Sequence, residues 1–286
     1  MADVKTTAAR PGTPQGGNSA GKPKNANNFA MNAIIVAACI AAGIIIYKFV
    51  LGSPSNFVDG ELRHKGKPGN FMATMYEGGF VVPILMATLL TLFSFVVERF
   101  LTIFKARGKG NSSEFVRKVQ YHLANKNVDA AIAECDKQSG SVGNVMRSGL
   151  IKYREMINNN ELDTDQKVLS IQKEIEEATA LELPMLEKNL VFLSTLASVA
   201  TLIGLLGTVL GMIRSFSAMG EGGGGGDATA LAEGISEALI NTALGIGTSA
   251  IAIIAYNFYT TIIDGVTFGI DESGFTLTQS FAANYK

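Results

Sequence analysis

Four long apolar stretches limit what this 286-residue chain can fold into. They run over residues 32–51, 79–101, 190–217 and 233–262, and each is close to the ~20 residues that an α-helix needs to cross a bilayer. Together they hold six charged residues, whereas the whole chain has 24 Lys and Arg and 25 Asp and Glu. The sequence therefore predicts an all-α integral membrane protein with four transmembrane helices.

The charge outside these stretches has the density of a soluble protein, so the chain also has a sizeable soluble part. A single soluble enzyme domain is excluded, and the net charge of −1 excludes a nucleic-acid-binding protein that relies on a bulk positive field. The histidines (His64, His122) and cysteines (Cys39, Cys135) are far apart in sequence and show no metal-ligand spacing. We predict no metal, no cofactor and no enzyme activity, because the sequence shows no catalytic constellation.

Lys and Arg are distributed unevenly between the two sides that the four spans define. With both termini on one side, the segments of that side hold 18 of the 24 basic residues, and the two loops opposite, 52–78 and 218–232, hold three. Basic residues accumulate on the cytoplasmic side of short membrane loops. We therefore expect both termini, and the segment between spans two and three, in the cytoplasm.

These patterns divide the chain into nine segments. We predict a disordered cytoplasmic tail (1–31), a first span (32–51), a periplasmic loop (52–78), a second span (79–101), a helical cytoplasmic domain between spans two and three (102–189), a third span (190–217), a Gly-rich periplasmic loop (218–232), a fourth span (233–262) and a cytoplasmic tail (263–286). Glycines in the last segment suggest a loop or short strands. The Gly-rich loop has no Lys-Ser/Thr pair after it, so a phosphate-binding role is not expected.

The cytoplasmic domain has a helical pattern. Apolar residues recur every three to four positions from Ser113 to Lys137, with a break expected at 127–129. Another helix is expected after Asp163, which can cap its first turn. It runs on towards the third span as one very long helix in which Pro184 is the only turn signal.

Small and polar residues form a stripe on each of the last two spans. On the third span they are Thr201, Gly204, Thr208 and Gly211, and on the fourth Glu237, Asn241, Thr242, Gly245 and Ser249, with Thr248 beside them. Small residues allow helices to pack closely, whereas facing hydroxyls can also line a narrow polar path. Both interpretations remain open at this point.

Carboxylates are scarce in the spans. Glu98 is beside Arg99 and is expected to pair with it or to reach the interface. Glu237 is near the outer end of the fourth span, where it is either functional or simply a charge in the first turn of a helix. If an ion crosses the membrane here, a second polypeptide is expected to provide the titratable residue, while this chain supplies hydroxyls and a scaffold.

Two motifs resemble those of the ExbB/TolQ/MotA family of proton channels. They are GLLGTV at residues 204–209 and EALINTALG at residues 237–245, and the resemblance covers about residues 79–262. It is closest to the ExbB branch, because flagellar members usually have a differently spaced and larger cytoplasmic insert.

The resemblance implies a motor in the bacterial inner membrane. It implies a homopentamer around a pair of single-span ExbD-like chains whose buried Asp carries the proton, and a TonB-like partner that opens outer-membrane transporters. It also implies that Thr208 and Thr242 face the pore and that Glu237 is the family's acidic residue at the outer end. Alternatives are a TolQ-like or other MotA-family motor and a non-conducting membrane scaffold.

The sequence departs from the family pattern at three places. Thr201 and Ile251 stand where many members have proline, so straighter helices are expected. Thr201, Thr248 and Ser249 add hydroxyls that suit sodium, which makes sodium the alternative to the proton. The first span is additional to the three that members commonly have, and its Gly43 and Ala-rich face suggest packing against the second span.

Overall fold

The computed structural model describes residues 24–58, 70–221 and 228–285, and the regular elements there are helices. They are α1 (Lys24–Ile45) with a π-helical end (Ile46–Leu51), a 3₁₀ turn (Pro54–Asn56), α2 (Phe71–Glu77), α3 (Val81–Ala106), α4 (Ser112–Ala124), α5 (Val128–Gln138), α6 (Ser141–Ile157), α7 (Thr164–Glu187), α8 (Leu190–Glu221) and α9 (Ala228–Asn284). Four helices of this part are long and apolar enough to cross a membrane. The prediction of an all-α membrane protein with four spans is confirmed.

The first span begins earlier than the sequence predicted. Helix α1 starts at Lys24, so the predicted disordered tail of residues 1–31 is wrong for residues 24–31, and residues 1–23 lie outside the described part. The last proline of the tail is Pro23, and nothing after it breaks a helix. Helix α1 packs against α3 at Gly43, where a Cβ would lie 3.0 Å from both Ala87 N and Pro83 O.

Helices α4 to α7 form a domain inserted between the second and third spans, which we call the inserted domain. The predicted break in its first half is confirmed, since Lys126 has a φ of 55° and the Asn127 side chain accepts from Ala130 N at 3.0 Å. Asp163 caps α7 in a reciprocal arrangement with Gln166. Helix α6 was not predicted. It begins after Gly140 without a side-chain cap, and it buries Met146 and Leu150.

The long helix expected to enter the third span is interrupted at Asn189, not at Pro184. Pro184 lies inside α7, and Lys188 N donates to its carbonyl at 3.1 Å. Asn189 then has a φ of 65°, a left-handed conformation that interrupts the helix between α7 and α8. The carbonyl of Leu186, near the end of α7, accepts from Arg99 Nη1 at 3.2 Å.

The C-terminal segment is helical, so the expectation of a loop or short strands at 263–286 is wrong. Helix α9 continues from the fourth span to Asn284 and buries Ile270, Leu277 and Phe281 against the inserted domain. Gly274, one of the residues read as a loop signal, lies against Ile175 of α7, where its missing side chain permits close contact. Burial of an apolar stripe outweighs the low helix propensity of glycine here.

At the other end of the spans, the Gly-rich loop is shorter than predicted. Residues 218–221 belong to α8 and residues 228–232 to α9, so the Gly-rich loop is confined to 222–227, which lie outside the described residues. The loop at 52–78 contains α2. Gly79 follows α2 with a φ of 74° and turns the chain into α3. We call the end of each span beside the inserted domain its domain end, and the opposite end its distal end.

Candidate ion pathway between the third and fourth spans

Helices α8 and α9 pack closely because glycines lie where they cross. A Cβ on Gly245 would lie 2.6 Å from Ala200 O and 2.9 Å from Gly204 Cα. A Cβ on Gly211 would lie 2.8 Å from Gly234 O. Larger side chains at these positions would push the two helices apart. Both helices run through the spans without a break.

The hydroxyls of Thr208 and Thr242 lie in the middle of this contact. They are hydrogen-bonded to each other, and Thr208 Oγ1 is also 3.3 Å from the carbonyl oxygen of Gly204. Both side chains are half-buried. The structure thus brings together the two threonines that the sequence singled out, each from a different span.

Glu237 forms an ion pair with Arg214 at the distal end. Arg214 Nη1 lies 2.6 Å from Glu237 Oε1, and the side chain of Glu237 is 11% exposed. Sequence reasoning offered a charge in the first helical turn as one alternative, and this is wrong because α9 begins at Ala228, nine residues earlier. Arg214 is one of the six charged residues of the predicted spans, and its role as the partner of Glu237 was not predicted. The signal that could have found it is that Arg214 and Glu237 have opposite charges and lie at similar distances from the Gly-rich loop that joins the two spans.

The turn at Gly78 and Gly79 encloses this ion pair. A Cβ on Gly79 would lie 2.2 Å from Glu237 Oε1. The guanidinium carbon of Arg214 lies 5.3 Å from the centre of the Phe80 ring, a cation-π arrangement. Asn241 is fully buried one turn further along α9, and its Nδ2 donates to Gly78 O at 2.9 Å. Asn241 therefore joins the fourth span to the turn before the second.

Towards the domain end, Thr201 and Ser249 line a groove of about 470 Å³ between α8 and α9. Ser194, Ser198 and Tyr256 line the same groove. Thr248 is not part of it, because its side chain is buried and its hydroxyl donates to Leu244 O at 2.8 Å. The structure brings together two of the three extra hydroxyls that the sequence indicated.

A second polar cluster lies at the domain ends of the first three spans and joins them by hydrogen bonds. Arg99 is buried beside Glu98, with Nε 2.7 Å from Glu98 Oε2. Asn189 Nδ2 donates to Glu98 Oε2 at 3.1 Å, and Asn32 of the first span donates to Asn189 Oδ1 at 3.0 Å. The expected Glu98–Arg99 pair is present. The two asparagines were not predicted, because their partners are more than 90 residues away in the chain.

Together these residues form a polar line along the α8–α9 contact. It has an ion pair at the distal end, two hydroxyls in the middle and further hydroxyls towards the domain end. Between Glu237 and Tyr256, α9 has no Asp or Glu, and the facing part of α8 has none. Within the part of the chain that the structure describes, no three His, Cys, Asp or Glu side chains are grouped as metal ligands. The line offers oxygen atoms to a small cation but no free carboxylate.

Comparison with known proteins shows that these residues are similar to one family. Residues 139–271 match the model of the MotA/TolQ/ExbB proton channel family. The chain is 34% identical over 122 residues to the Tol-Pal system protein TolQ of Pseudomonas aeruginosa, which covers 43% of this chain and 52% of TolQ.

It is also similar to two proteins named biopolymer transport protein ExbB. With that of Helicobacter pylori it shares 45% identity over 85 residues, 30% of this chain and 57% of the relative. With that of Xanthomonas campestris it shares 30% identity over 112 residues, 39% of this chain and 44% of the relative. The chain thus spans about half the length of these curated relatives. The similarity to the MotA/TolQ/ExbB proton channel family thus covers residues 139–271, which include the inserted domain's last two helices and the third and fourth spans.

Proposed function

We propose that this chain is the scaffold and channel subunit of a bacterial inner-membrane motor. Five copies surround a pair of single-span ExbD-like chains, and a buried Asp of those chains carries the proton. Proton flow down the proton motive force moves a TonB-like protein and so energises transport across the outer membrane. The chain itself catalyses no covalent reaction, binds no nucleic acid and is surrounded by membrane lipid.

The observation that carries this proposal is the arrangement of Thr208, Thr242 and Glu237. The two hydroxyls are paired in the middle of the spans, where exposed polar groups are costly unless they serve a partner. The carboxylate of Glu237, which could carry a proton, is already bound to Arg214. A proton path along this face therefore needs a titratable group from another polypeptide.

A TolQ-like motor is the first alternative. The match to Pseudomonas aeruginosa TolQ covers more of this chain than the match to Helicobacter pylori ExbB does. In that case the polar line would still form the ion path, and a protein other than the TonB-like one would be moved by the motor. Another MotA-family motor would likewise keep the threonine pair and change the driven partner.

A non-conducting scaffold is the second alternative, and the hydrogen bonds of the threonines favour it. Thr201, Thr208 and Thr248 are each within hydrogen-bond distance of the carbonyl oxygen four residues earlier. Such bonds satisfy a hydroxyl in an apolar environment without any ion. In a scaffold, the two polar stripes would only be packing surfaces.

The ion is a proton in this proposal, with sodium as the alternative. The groove lined by Thr201, Ser249 and Tyr256 presents several hydroxyl oxygens. Oxygen atoms that replace part of the hydration shell are what an alkali cation requires. Transport rates in sodium-free and sodium-containing buffer distinguish the two ions.

We place both termini in the cytoplasm of the cell, because the segment between spans two and three contains 13 Lys and Arg and the Gly-rich loop contains none. The inserted domain and the C-terminal part of α9 then lie on the cytoplasmic side. Labelling of single cysteines by a membrane-impermeant maleimide in intact cells tests this orientation.

The experiment that tests the function is mass measurement of the intact complex. The full chain is extracted from its native membrane in mild detergent, and every co-purifying chain is identified. Five copies with two copies of a single-span protein that has an intramembrane Asp are expected. A pure homo-oligomer in several detergents would contradict the motor and favour the scaffold.

A further inference from the structure

The outward face of α9 beyond the fourth span is acidic and aromatic. Asp264, Asp271 and Glu272 are exposed, and Phe268 and Phe275 on the same face are 70% and 69% exposed. Within residues 70–221 and 228–285, none of the three carboxylates forms an ion pair. We call these five residues the acidic patch. Helix α9 as a whole has no Lys or Arg.

A basic patch lies at the end of α3 and the turn after it. It consists of Lys105, Arg107 and Lys109, all of which are exposed. Among the described residues no carboxylate lies within ion-pair distance of them. This distinguishes them from Arg147 and Arg154 of α6, which pair with Asp136 and Asp129.

The two patches lie at about the same depth relative to the membrane. Helices α3 and α9 run in the same direction, and Tyr259 Oη donates to Val96 O at 2.7 Å, which aligns them. Counted from this contact, Ala106 at the end of α3 and Gly269 of α9 are each ten residues further along their helices. At about 1.5 Å per helical residue both lie roughly 15 Å beyond the contact, and the basic patch surrounds the first position as the acidic patch surrounds the second.

Matching depth is what favours a second copy of this chain as the partner. Every copy of a membrane protein is inserted in the same orientation, so the acidic patch of one copy and the basic patch of its neighbour meet at one level. The two patches are different surfaces of one chain, and joining such surfaces around an axis along the membrane normal produces a closed ring. Two phenylalanines on a water-exposed helix also require cover of the kind that a neighbouring subunit provides.

We propose that the acidic patch of one copy binds the basic patch of the next and so closes the ring below the membrane. The inference rests on the homo-oligomer in the proposed function and adds the surfaces that meet. The contact lies outside the bilayer and away from the polar line between α8 and α9. It is therefore separable from conduction.

Disulfide cross-linking of the full-length chain in native membranes tests the proposal. Lys109→Cys and Glu272→Cys are combined in one chain, and oxidation is followed on a non-reducing gel. A ladder of linked species that ends at one largest size is expected from the double variant. Each single variant is expected to remain monomeric. Both substitutions are at exposed positions, so the fold is retained.

In a matched control, the cysteine of the acidic patch is moved to an exposed position on a different helix. Lys109→Cys is combined with Glu155→Cys on α6, and no ladder is expected. A monomeric Lys109→Cys/Glu272→Cys chain, or an equal ladder from this control, would overturn the proposal. If the double variant stays monomeric while the wild-type complex has a multi-copy mass, the assigned surfaces are wrong and the homo-oligomer survives. If the wild-type mass is that of one copy, both proposals fail.

Charge reversal provides a second readout on the same surfaces. Asp271→Lys with Glu272→Lys, or Lys105→Glu with Lys109→Glu, is expected to reduce the oligomeric fraction in detergent severalfold. All four changes in one chain restore the opposite charges and are expected to recover the oligomer. Equal oligomer yield in every variant would contradict the contact, because like charges at a docked surface repel.

Discussion

Arg214 of the third span and Glu237 of the fourth form an ion pair of 2.6 Å at the distal ends of these two spans. The carboxylate is largely buried, whereas the guanidinium is half-exposed and lies over the Phe80 ring. Removing one partner leaves the other charge without compensation, and this costs more than removing both. The pair therefore makes a direct prediction about stability.

We expect Arg214→Gln to lower the free energy of unfolding by about 1–3 kcal/mol, because Glu237 then lacks its charged partner in a mostly buried position. The double variant Arg214→Gln/Glu237→Gln is expected to recover most of this loss. Melting temperatures in detergent for the two single variants and the double variant measure the coupling. Additive losses would show that the two side chains do not interact.

Thr208→Val combined with Thr242→Val removes two hydroxyls and keeps the side-chain shape. We expect ion-driven transport to be abolished and the assembled complex to keep its mass, because in the proposed function the hydroxyls line the ion path and the methyl groups only pack. Thr195→Val is the matched control, since its exposed hydroxyl bonds only to Val191 O on the same helix. Wild-type transport in the double variant would refute the pore role of the pair.

Gly79→Ala tests the turn that encloses the ion pair. The backbone there has a φ of 74°, and a Cβ would lie 2.2 Å from Glu237 Oε1. We expect a loss of at least about 1–2 kcal/mol from the backbone alone, plus displacement of Glu237. Gly220→Ala, where a Cβ would meet nothing within 4 Å, is the control. Equal melting temperatures for the two variants would contradict the described turn.

The role of Asn189 is tested by two substitutions, to glycine and to alanine, which differ in how readily the new residue adopts a positive φ. Asn189→Gly loses the side-chain bonds to Asn32 and Glu98 but suits the φ of 65°, whereas Asn189→Ala loses the same bonds and is strained. We expect both to destabilise the chain and the alanine variant to be less stable by about 1 kcal/mol. Asn158→Ala at the end of α6 is the control. Identical stabilities for the Asn189 variants would contradict the positive φ.

Cys135 is expected to be unreactive in the folded chain. Burial in the inserted domain raises the pKa of its thiol to about 12, so about one thiol in 10⁴ is ionised at pH 8. Alkylation by iodoacetamide, followed by mass spectrometry of the peptide that contains Cys135, is expected to be far slower than in the denatured chain. As pH rises towards 12, the rate is expected to keep increasing. Comparable rates in the folded and denatured chains at pH 8 would contradict the burial.

The four spans and the helix break near Asn127 were predictable because they depend on local signals. A run of apolar residues long enough to cross the bilayer needs no knowledge of the rest of the fold. The C-terminal part of α9 was not predictable in the same way. Its glycines favour a loop locally. The helix is stabilised instead by tertiary packing, because Gly274 contacts Ile175 of α7 and Phe281 is buried against the inserted domain.

In the candidate site, too, the features with local sequence signals were predictable and those that depend on tertiary contacts were not. Thr208 and Thr242 were predictable because small and polar residues recur at helical spacing on both spans. The pairing of Arg214 with Glu237 depends on how far each helix extends before the loop, which composition does not determine. The contact of Asn241 with Gly78 joins positions 163 residues apart, and nothing in the local sequence indicates it.

Asn189 is also the point where three parts of the chain meet. It ends α7, its amide nitrogen reaches Glu98 of the second span, and its amide oxygen accepts from Asn32 of the first span. The first span, the second span and the start of the third are therefore held together by one side chain, where the chain passes from the inserted domain into the membrane spans.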